Sequence, residues 1–226
     1  CIRDSLKTVF KFSIKYGSLI VLPVSAAIMA LSKPMVYTLF GGKFSQTPLY
    51  LSLLAINSLY VGVGSLTVPN VINGQGRTDV TLKLTLLTML VGIPLSLILI
   101  PTFNILGLIA TTLITNIPNV LVGLWWVERN FNLSIDAQSE IKIYAASGIS
   151  GLAAYLTLYY FMLRPFWFAL IIGGVVFLAT YIVSVIMLRA VEREDLKNLR
   201  EALSELGPLY KMTDIPLRFM EKMLPS

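Results

Sequence analysis

The polarity of the chain alternates between six long apolar stretches and short polar breaks over residues 12–188. Each stretch has about 20 residues, the length that an α-helix needs to cross the hydrocarbon core of a bilayer. In lipid every backbone N–H and C=O group must be hydrogen-bonded within the protein, so runs of this length are helices, and the many short alternating segments of a membrane β-barrel are missing. We therefore predict an all-α, polytopic protein of the cell membrane. Its six predicted spans are residues 12–32, 48–68, 80–100, 104–127, 142–162 and 166–188.

Composition supports a membrane protein and narrows its chemistry. Hydrophobic residues make up 56% of the chain and charged residues 13%, against roughly a quarter charged in soluble domains. The chain has no histidine and only one cysteine, Cys1, so zinc, haem and nucleophile–histidine sites lack their usual ligands, although a carboxylate-only metal site is not excluded. We predict no catalytic residue, no metal site and no cofactor.

The acidic residues weaken an enzymatic function further. None of the six predicted spans contains Asp or Glu, and the predicted outer loops contain none either. A carboxylate proton relay therefore cannot be built within the spans. An outward-facing transferase would lack a carboxylate to act as a general base or to bind a metal ion.

Basic residues predict the orientation and the partners. With both ends in the cytoplasm, the inner segments hold fifteen of the eighteen Lys and Arg residues, and the outer loops hold only Lys33, Lys43 and Arg164. This asymmetry follows the positive-inside rule. The net charge of +6 belongs to residues that flank apolar spans, so it indicates contact with lipid head groups rather than nucleic acid.

The first span carries candidate substrate-binding cations. Arg3, Lys7, Lys11 and Lys15 recur every four residues, which places them along one face of a helix. One interpretation is that these side chains extend to the inner head groups. Lys15 lies about one turn inside the apolar stretch, so the alternative is that Lys11 and Lys15 face a water-filled cavity and bind an anionic substrate such as a diphosphate head group.

Uncharged polar residues at membrane depth are the other candidates for substrate binding. Asn57 lies midway along the second span, and Asn116 and Asn119 flank Pro118 in the fourth. Pro118 removes one backbone hydrogen bond and leaves a carbonyl near Ile114 without its donor, and broken helices at this depth often line transport paths. Interhelical hydrogen bonding that only holds the bundle together explains Asn116 and Asn119 equally well.

Several short motifs, in order, carry a resemblance to a known family. They are Tyr16–Pro23, Tyr37–Phe44 with its Gly-Gly pair, the turn Asn73–Arg77, and the proline- and glycine-containing Ile100–Thr111. Over about residues 5–188 the chain resembles the C-terminal half of a polysaccharide or oligosaccharide flippase of the multidrug/oligosaccharidyl-lipid/polysaccharide exporter superfamily, which shares its architecture with the multidrug and toxin extrusion (MATE) proteins.

The resemblance implies an architecture and a function. Such proteins have two six-helix lobes around a central cavity and work by alternating access, so this chain would be one lobe and would begin mid-protein, with an N-terminal six-helix lobe missing. The implied substrate is an oligosaccharide linked to a polyprenyl carrier through phosphate or diphosphate, moved from the inner to the outer leaflet. A cation-coupled multidrug antiporter of the same superfamily and a non-transporting membrane scaffold remain as alternatives.

The last part of the chain differs from the rest. We expect residues 1–188 to form the six-helix bundle and residues 189–226 to form a cytoplasmic amphipathic tail. In residues 189–206 apolar side chains recur at helical intervals among mixed charges, until Gly207 and Pro208 end the pattern.

Overall fold

The computed structural model describes residues 2–161 and 164–191, and the side chains from Leu6 onward. Within these ranges the chain consists of helices joined by short turns, which confirms the prediction of an all-α protein. The α-helices are α1 (Ile2–Phe40), α2 (Thr47–Ile56), α3 (Thr67–Gly74), α4 (Thr78–Phe103), α5 (Ile105–Phe131), α6 (Ala137–Phe161) and α7 (Phe166–Met187).

Five helices are long and apolar enough to cross a membrane on their own. They are α1 and α4 to α7, and they account for all predicted spans except the second. The second span was expected to be one continuous helix over residues 48–68, and this expectation was wrong. It consists of α2, a 3-10 helix over Asn57–Val63, and α3, whose axis is bent by 49° from the preceding segment.

Two glycines permit the break in the second span. The 3-10 segment ends at Gly64, whose φ of 80° is a left-handed conformation that side chains with a Cβ rarely adopt. Two residues earlier, Gly62 packs against the Tyr144 ring so closely that a Cβ there would lie 2.6 Å from ring carbon Cε2. The break therefore depends on glycine both for its backbone conformation and for close contact with α6.

Helix α1 is the centre of the bundle. It has 39 residues, more than the predicted span of residues 12–32, and it packs against α2, the 3-10 segment, α6 and α7. Small residues allow its backbone to approach α6: Ser147 is buried, and a Cβ at Gly151 would lie 3.4 Å from the carbonyl oxygen of Ala26. Small residues spaced four apart, as Ser147 and Gly151 are, let helix backbones approach closely in lipid.

Helices α4 and α5 form a tight antiparallel pair. Asn104 joins them with a φ of 51°, and a Cβ at Gly107 would overlap the backbone carbonyl of Leu99. Only 6% of the most apolar window of α4 is buried within the described structure. Since lipid is as apolar as these side chains, α4 presents a surface that suits a bilayer or another apolar helix.

One end of the bundle collects many of the basic residues. A buried apolar cluster that includes Phe10, Ile72, Val80 and Val127 joins the start of α1, the α3–α4 turn and the end of α5. At the same end the Lys142 ammonium donates to the carbonyl oxygen of Arg189, at 3.3 Å. We call this the basic end, and the opposite end, which carries Lys33, Lys43 and Arg164, the sparsely charged end.

The chain turns after α7. Arg189 has a φ of 49°, and the side chains of Ala190 and Val191 are buried against the bundle. Residues 189–191 therefore do not begin the helix that the apolar spacing of residues 189–206 predicted. The rest of the predicted amphipathic tail lies outside the described residues.

Candidate substrate-binding site

The basic stripe of α1 lies beside the start of α6. The Lys11 side chain is exposed and the Lys15 side chain is half-buried. The charge of Lys15 acts on Glu140 of α6, and the charge of Lys11 acts on Asp136, directly before α6. Both predicted substrate-binding cations therefore lie in the field of an acidic residue of the same lobe.

Glu140 is a buried acid that the sequence analysis missed. It lies outside the predicted spans, two residues before residues 142–162, but the structure places it in the first turn of α6 with an exposed fraction of only 5%. Its surroundings include the Ser18 hydroxyl and the charges of Asp136 and Lys15. The available signal was helical spacing, because Tyr144 and Ser147 follow at intervals of four and seven residues and place Glu140 on the face that packs against α1.

Asp136 caps the start of α6 from outside the spans. Its carboxylate accepts a hydrogen bond from the Ser139 hydroxyl at 2.8 Å and another from the Ser139 backbone N–H at 3.4 Å. The hydroxyl contact is the main reason that the pKa of Asp136 lies below its ordinary value, and Lys11 adds a smaller effect in the same direction. Asp136 therefore carries a negative charge at neutral pH, where it stabilises the helix N-terminus.

Two of the predicted polar residues meet across the bundle. The Asn116 amide of α5 donates to the Asn57 side-chain oxygen at 2.5 Å, and both residues are half-buried. Asn57 is the first residue of the 3-10 segment. The pair thus joins the break in the second span to α5, as the interhelical interpretation of Asn116 requires.

A second hydrogen bond joins the same two elements. The Tyr60 hydroxyl donates to the carbonyl oxygen of Leu113, at 3.1 Å. This carbonyl is next to Ile114, whose hydrogen-bond donor is removed by Pro118. Helix α5 continues through Pro118, and the Tyr60 hydroxyl bonds the carbonyl directly before the one that loses its donor to Pro118.

Other polar side chains near this pair differ in their accessibility. The hydroxyls of Thr111 and Thr115 are buried and donate to carbonyls of their own helix, so they are not available to a substrate. Asn119 is half-buried and has no hydrogen-bond partner within the part of the chain that the structure describes. Among the three asparagines, Asn119 therefore has the most available amide.

Helix α6 holds the break from the other side. The Tyr144 hydroxyl donates to the carbonyl oxygen of Leu59, and the Tyr144 ring contacts Gly62. The 3-10 segment is consequently bonded to α5 through Asn57 and Tyr60, and to α6 through Leu59. The Tyr144 bond satisfies one backbone carbonyl of the segment, that of Leu59, from a neighbouring helix, as irregular backbone at membrane depth requires.

Over residues 2–161 and 164–191, no three His, Cys, Asp or Glu side chains lie close enough together to hold a metal ion. The described arrangement offers cations at the basic end and amides at membrane depth, a set that can bind phosphate and sugar hydroxyl groups.

Comparison with known proteins identifies the family. A family model described as the lipid II flippase MurJ matches residues 3–180, which extend from the first turn of α1 into α7. Neither the comparison with curated proteins nor the comparison with solved structures finds a match. Membership in a flippase family agrees with the prediction of a membrane transporter rather than an enzyme. The chain belongs to the MurJ family of lipid II flippases.

Proposed function

We propose that the chain is one six-span lobe of a flippase that moves a saccharide, linked to a polyprenyl carrier through phosphate or diphosphate, from the inner to the outer leaflet. The family match over residues 3–180 carries this proposal, because it covers α1 to α6 and most of α7. The family description names lipid II, and it therefore favours a lipid II-type substrate over the longer oligosaccharide that the sequence resemblance implies.

The cost of moving the head group explains why the lobe needs polar residues. Transfer of a sugar hydroxyl out of water without a new hydrogen-bond partner costs several kcal/mol, and transfer of a charged phosphate costs more. We infer that Lys11 and Lys15 attract the phosphate groups at the basic end, because they are the basic residues of α1 nearest to membrane depth. The field of Glu140 and Asp136 keeps this region from being uniformly positive.

The asparagines provide partners deeper in the membrane. We infer that Asn119 contacts the saccharide directly, since its amide is half-exposed and has no hydrogen bond within the described ranges. Asn57 and Asn116 already bond to each other, so they would contact the substrate only after their hydrogen bond opens. The pair is then a gate between a resting and a substrate-bound arrangement of the break.

The bent second span gives the lobe a place to change shape. A 3-10 segment between two short helices has fewer regular hydrogen bonds to break than a continuous helix. Among the described residues, few side-chain hydrogen bonds join this segment to α5 and α6, and they are made by Asn57, Tyr60 and Tyr144. We infer that alternating access changes the angle at this break.

A second lobe would complete the transport path. The described bundle leaves most of α4 uncovered, and it brings its polar residues together on only some faces. We propose that an N-terminal six-helix lobe supplies the opposite wall of the cavity, in addition to membrane lipids around the outside. A second copy of the same chain is the other way to supply that wall.

Substrate class is tested by transport in vesicles. A two-lobe protein that contains this chain should flip a fluorescent lipid II analogue and should not drive uptake of a cationic dye. Dye uptake coupled to an ion gradient, without lipid flipping, would instead support the multidrug antiporter. Neither activity, in a protein that is folded and inserted, would support the non-transporting scaffold.

Orientation is tested by labelling from one side. Ser45, at the sparsely charged end, and Thr78, at the basic end, are both exposed. In an otherwise cysteine-free protein, a membrane-impermeant thiol reagent added outside cells should modify Ser45→Cys and should not modify Thr78→Cys. The opposite pattern would show that the basic end faces outward and would overturn the proposed direction of transport.

A further inference from the structure

A cavity at the sparsely charged end lies far along α1 from the candidate site. It has a volume of about 470 Å³ and opens between α1, α6 and the start of α7. Lys33 and Tyr37 line it from α1, Tyr159 from α6, and Arg164 and Phe166 from the start of α7. This volume is within the range of small-molecule binding sites.

The two cations of this cavity are available to a ligand. Lys33 and Arg164 are both exposed, and within the described residues neither forms an ion pair or a hydrogen bond. Arg164 lies over the Phe166 ring, with its guanidinium carbon 5.8 Å from the ring centre. A guanidinium held on an aromatic face keeps its edge free to donate two hydrogen bonds to one anion.

Within the described residues, the parts of the chain that form the cavity carry no acid. The sequence contains no Asp or Glu from residue 5 to residue 78, or from residue 141 to residue 191. These two ranges include every residue that lines the cavity. Two cations without a nearby carboxylate favour an anionic ligand, and phosphate is the anion whose geometry Arg and Lys bind most readily.

The walls indicate that this anion belongs to a lipid. Tyr37 and Phe166 have ring centres 4.8 Å apart, and Leu158 and Ala169 extend the apolar lining. Next to the cavity, the end of α6 exposes Tyr160 and Phe161 to the surroundings. Aromatic side chains at the ends of spans lie at the level of lipid head groups, and apolar side chains below them contact acyl or isoprenyl chains.

We propose that this cavity binds the phosphoryl group of an anionic membrane lipid, with Lys33 and Arg164 as the phosphate ligands and the aromatic wall against the first part of the lipid chain. In the proposed orientation the lipid belongs to the outer leaflet. The site is separate from the substrate path at Lys11, Lys15 and the asparagines, and its existence does not depend on which substrate is flipped.

Native mass spectrometry of the 226-residue chain in detergent micelles tests the proposal. The probes are a polyprenyl phosphate, a phosphatidylglycerol and a phosphatidylcholine, each added at the same concentration. Both anionic lipids should be retained more than phosphatidylcholine. Lys33→Gln or Arg164→Gln should weaken retention of the anionic lipids about fivefold, and the double variant about 30-fold, as expected for two cations near a lipid phosphate.

Matched variants separate a specific site from general charge. Lys43→Gln removes a cation from the same end but outside the cavity, so it should leave retention unchanged. A variant with Lys33→Arg and Arg164→Lys keeps both charges and should retain most of the lipid. Thermal melting of each variant checks folding, which should be preserved because both side chains are exposed.

Two results would overturn the proposal. Equal retention of the anionic lipids by the wild-type chain and the double variant would show that Lys33 and Arg164 do not bind them. Complete displacement of the lipid by an equal concentration of inorganic phosphate would show a site for free phosphate rather than for a lipid head group.

Discussion

The hydrogen bond between Asn57 and Asn116 can be tested by a double-mutant cycle. The bond is 2.5 Å long, both side chains are half-buried, and it joins the break in the second span to α5. Interhelical hydrogen bonds in membrane proteins contribute about 0.6 to 2 kcal/mol. Asn57→Ala and Asn116→Ala should each destabilise the bundle by about 1–2 kcal/mol, since each leaves the other amide without its partner.

The cycle isolates the interaction itself. If the two asparagines bond as the structure shows, the double variant should be more stable than the sum of the single effects predicts, with a coupling energy of about 1 kcal/mol. The free energy of unfolding is measured in mixed micelles by titration with a denaturing detergent. Ser52→Ala is the control for stability, because the Ser52 hydroxyl donates to Ser32 of α1 at 2.8 Å, outside the proposed site.

Transport by the same variants tests the proposed role in substrate binding. In a two-lobe protein at matched levels, the double asparagine variant should flip a lipid II analogue more slowly than Ser52→Ala, even where both lose similar stability. A coupling energy near zero would refute the hydrogen bond as a link between the break and α5. Equal flipping rates for the two variants would remove the asparagine pair from the transport path.

Two further predictions concern single positions, Lys15 and Gly107. Lys15→Ala should reduce flipping at least severalfold while Lys15→Arg retains part of it, whereas a lysine that only contacts inner head groups contributes about 1 kcal/mol of surface attraction and its loss should barely change the rate. Adding Glu140→Gln to Lys15→Ala should recover any lost stability without recovering flipping, because it removes a buried charge but restores no cation; recovery of both would give Lys15 a structural role. Gly107→Ala should lower the melting temperature strongly, because the new methyl group overlaps a carbonyl of α4 and reduces the free energy of unfolding by about 1–3 kcal/mol or more. Gly148→Ala, at a position with open space, should leave the melting temperature unchanged or raise it slightly, and similar effects at both glycines would contradict the tight α4–α5 contact.

The spans were predictable because bilayer thickness sets a length that can be counted in the sequence. The break in the second span was not, since the 3-10 segment is as apolar as the helices around it. Gly62 and Gly64 were the only local signs, and glycines are common in membrane helices for other reasons. What produces the break is contact with α5 and α6, which depends on distant parts of the chain.

The candidate site was predictable by residue type but not by pairing. Polar residues at membrane depth are costly, so Asn57, Asn116 and Asn119 could be selected from sequence alone. Asn57 bonds to Asn116 and not to Asn119. Which of the two it meets depends on the rotation of each helix about its axis, and packing determines that rotation. Glu140 was missed for a related reason, because the end of an apolar stretch does not show where the burial of a helix begins.

The claim that this chain is one lobe of a flippase is tested most directly by reconstituting it with and without a second lobe. Vesicles that contain a fluorescent lipid II analogue in both leaflets would receive either the 226-residue chain alone, as a monomer, or the chain joined to an N-terminal six-helix lobe of the same family. An impermeant quencher then reports the exchange of lipid between the leaflets. The account predicts rapid flipping only when both lobes are present. Equally rapid flipping by the monomeric chain alone would contradict it.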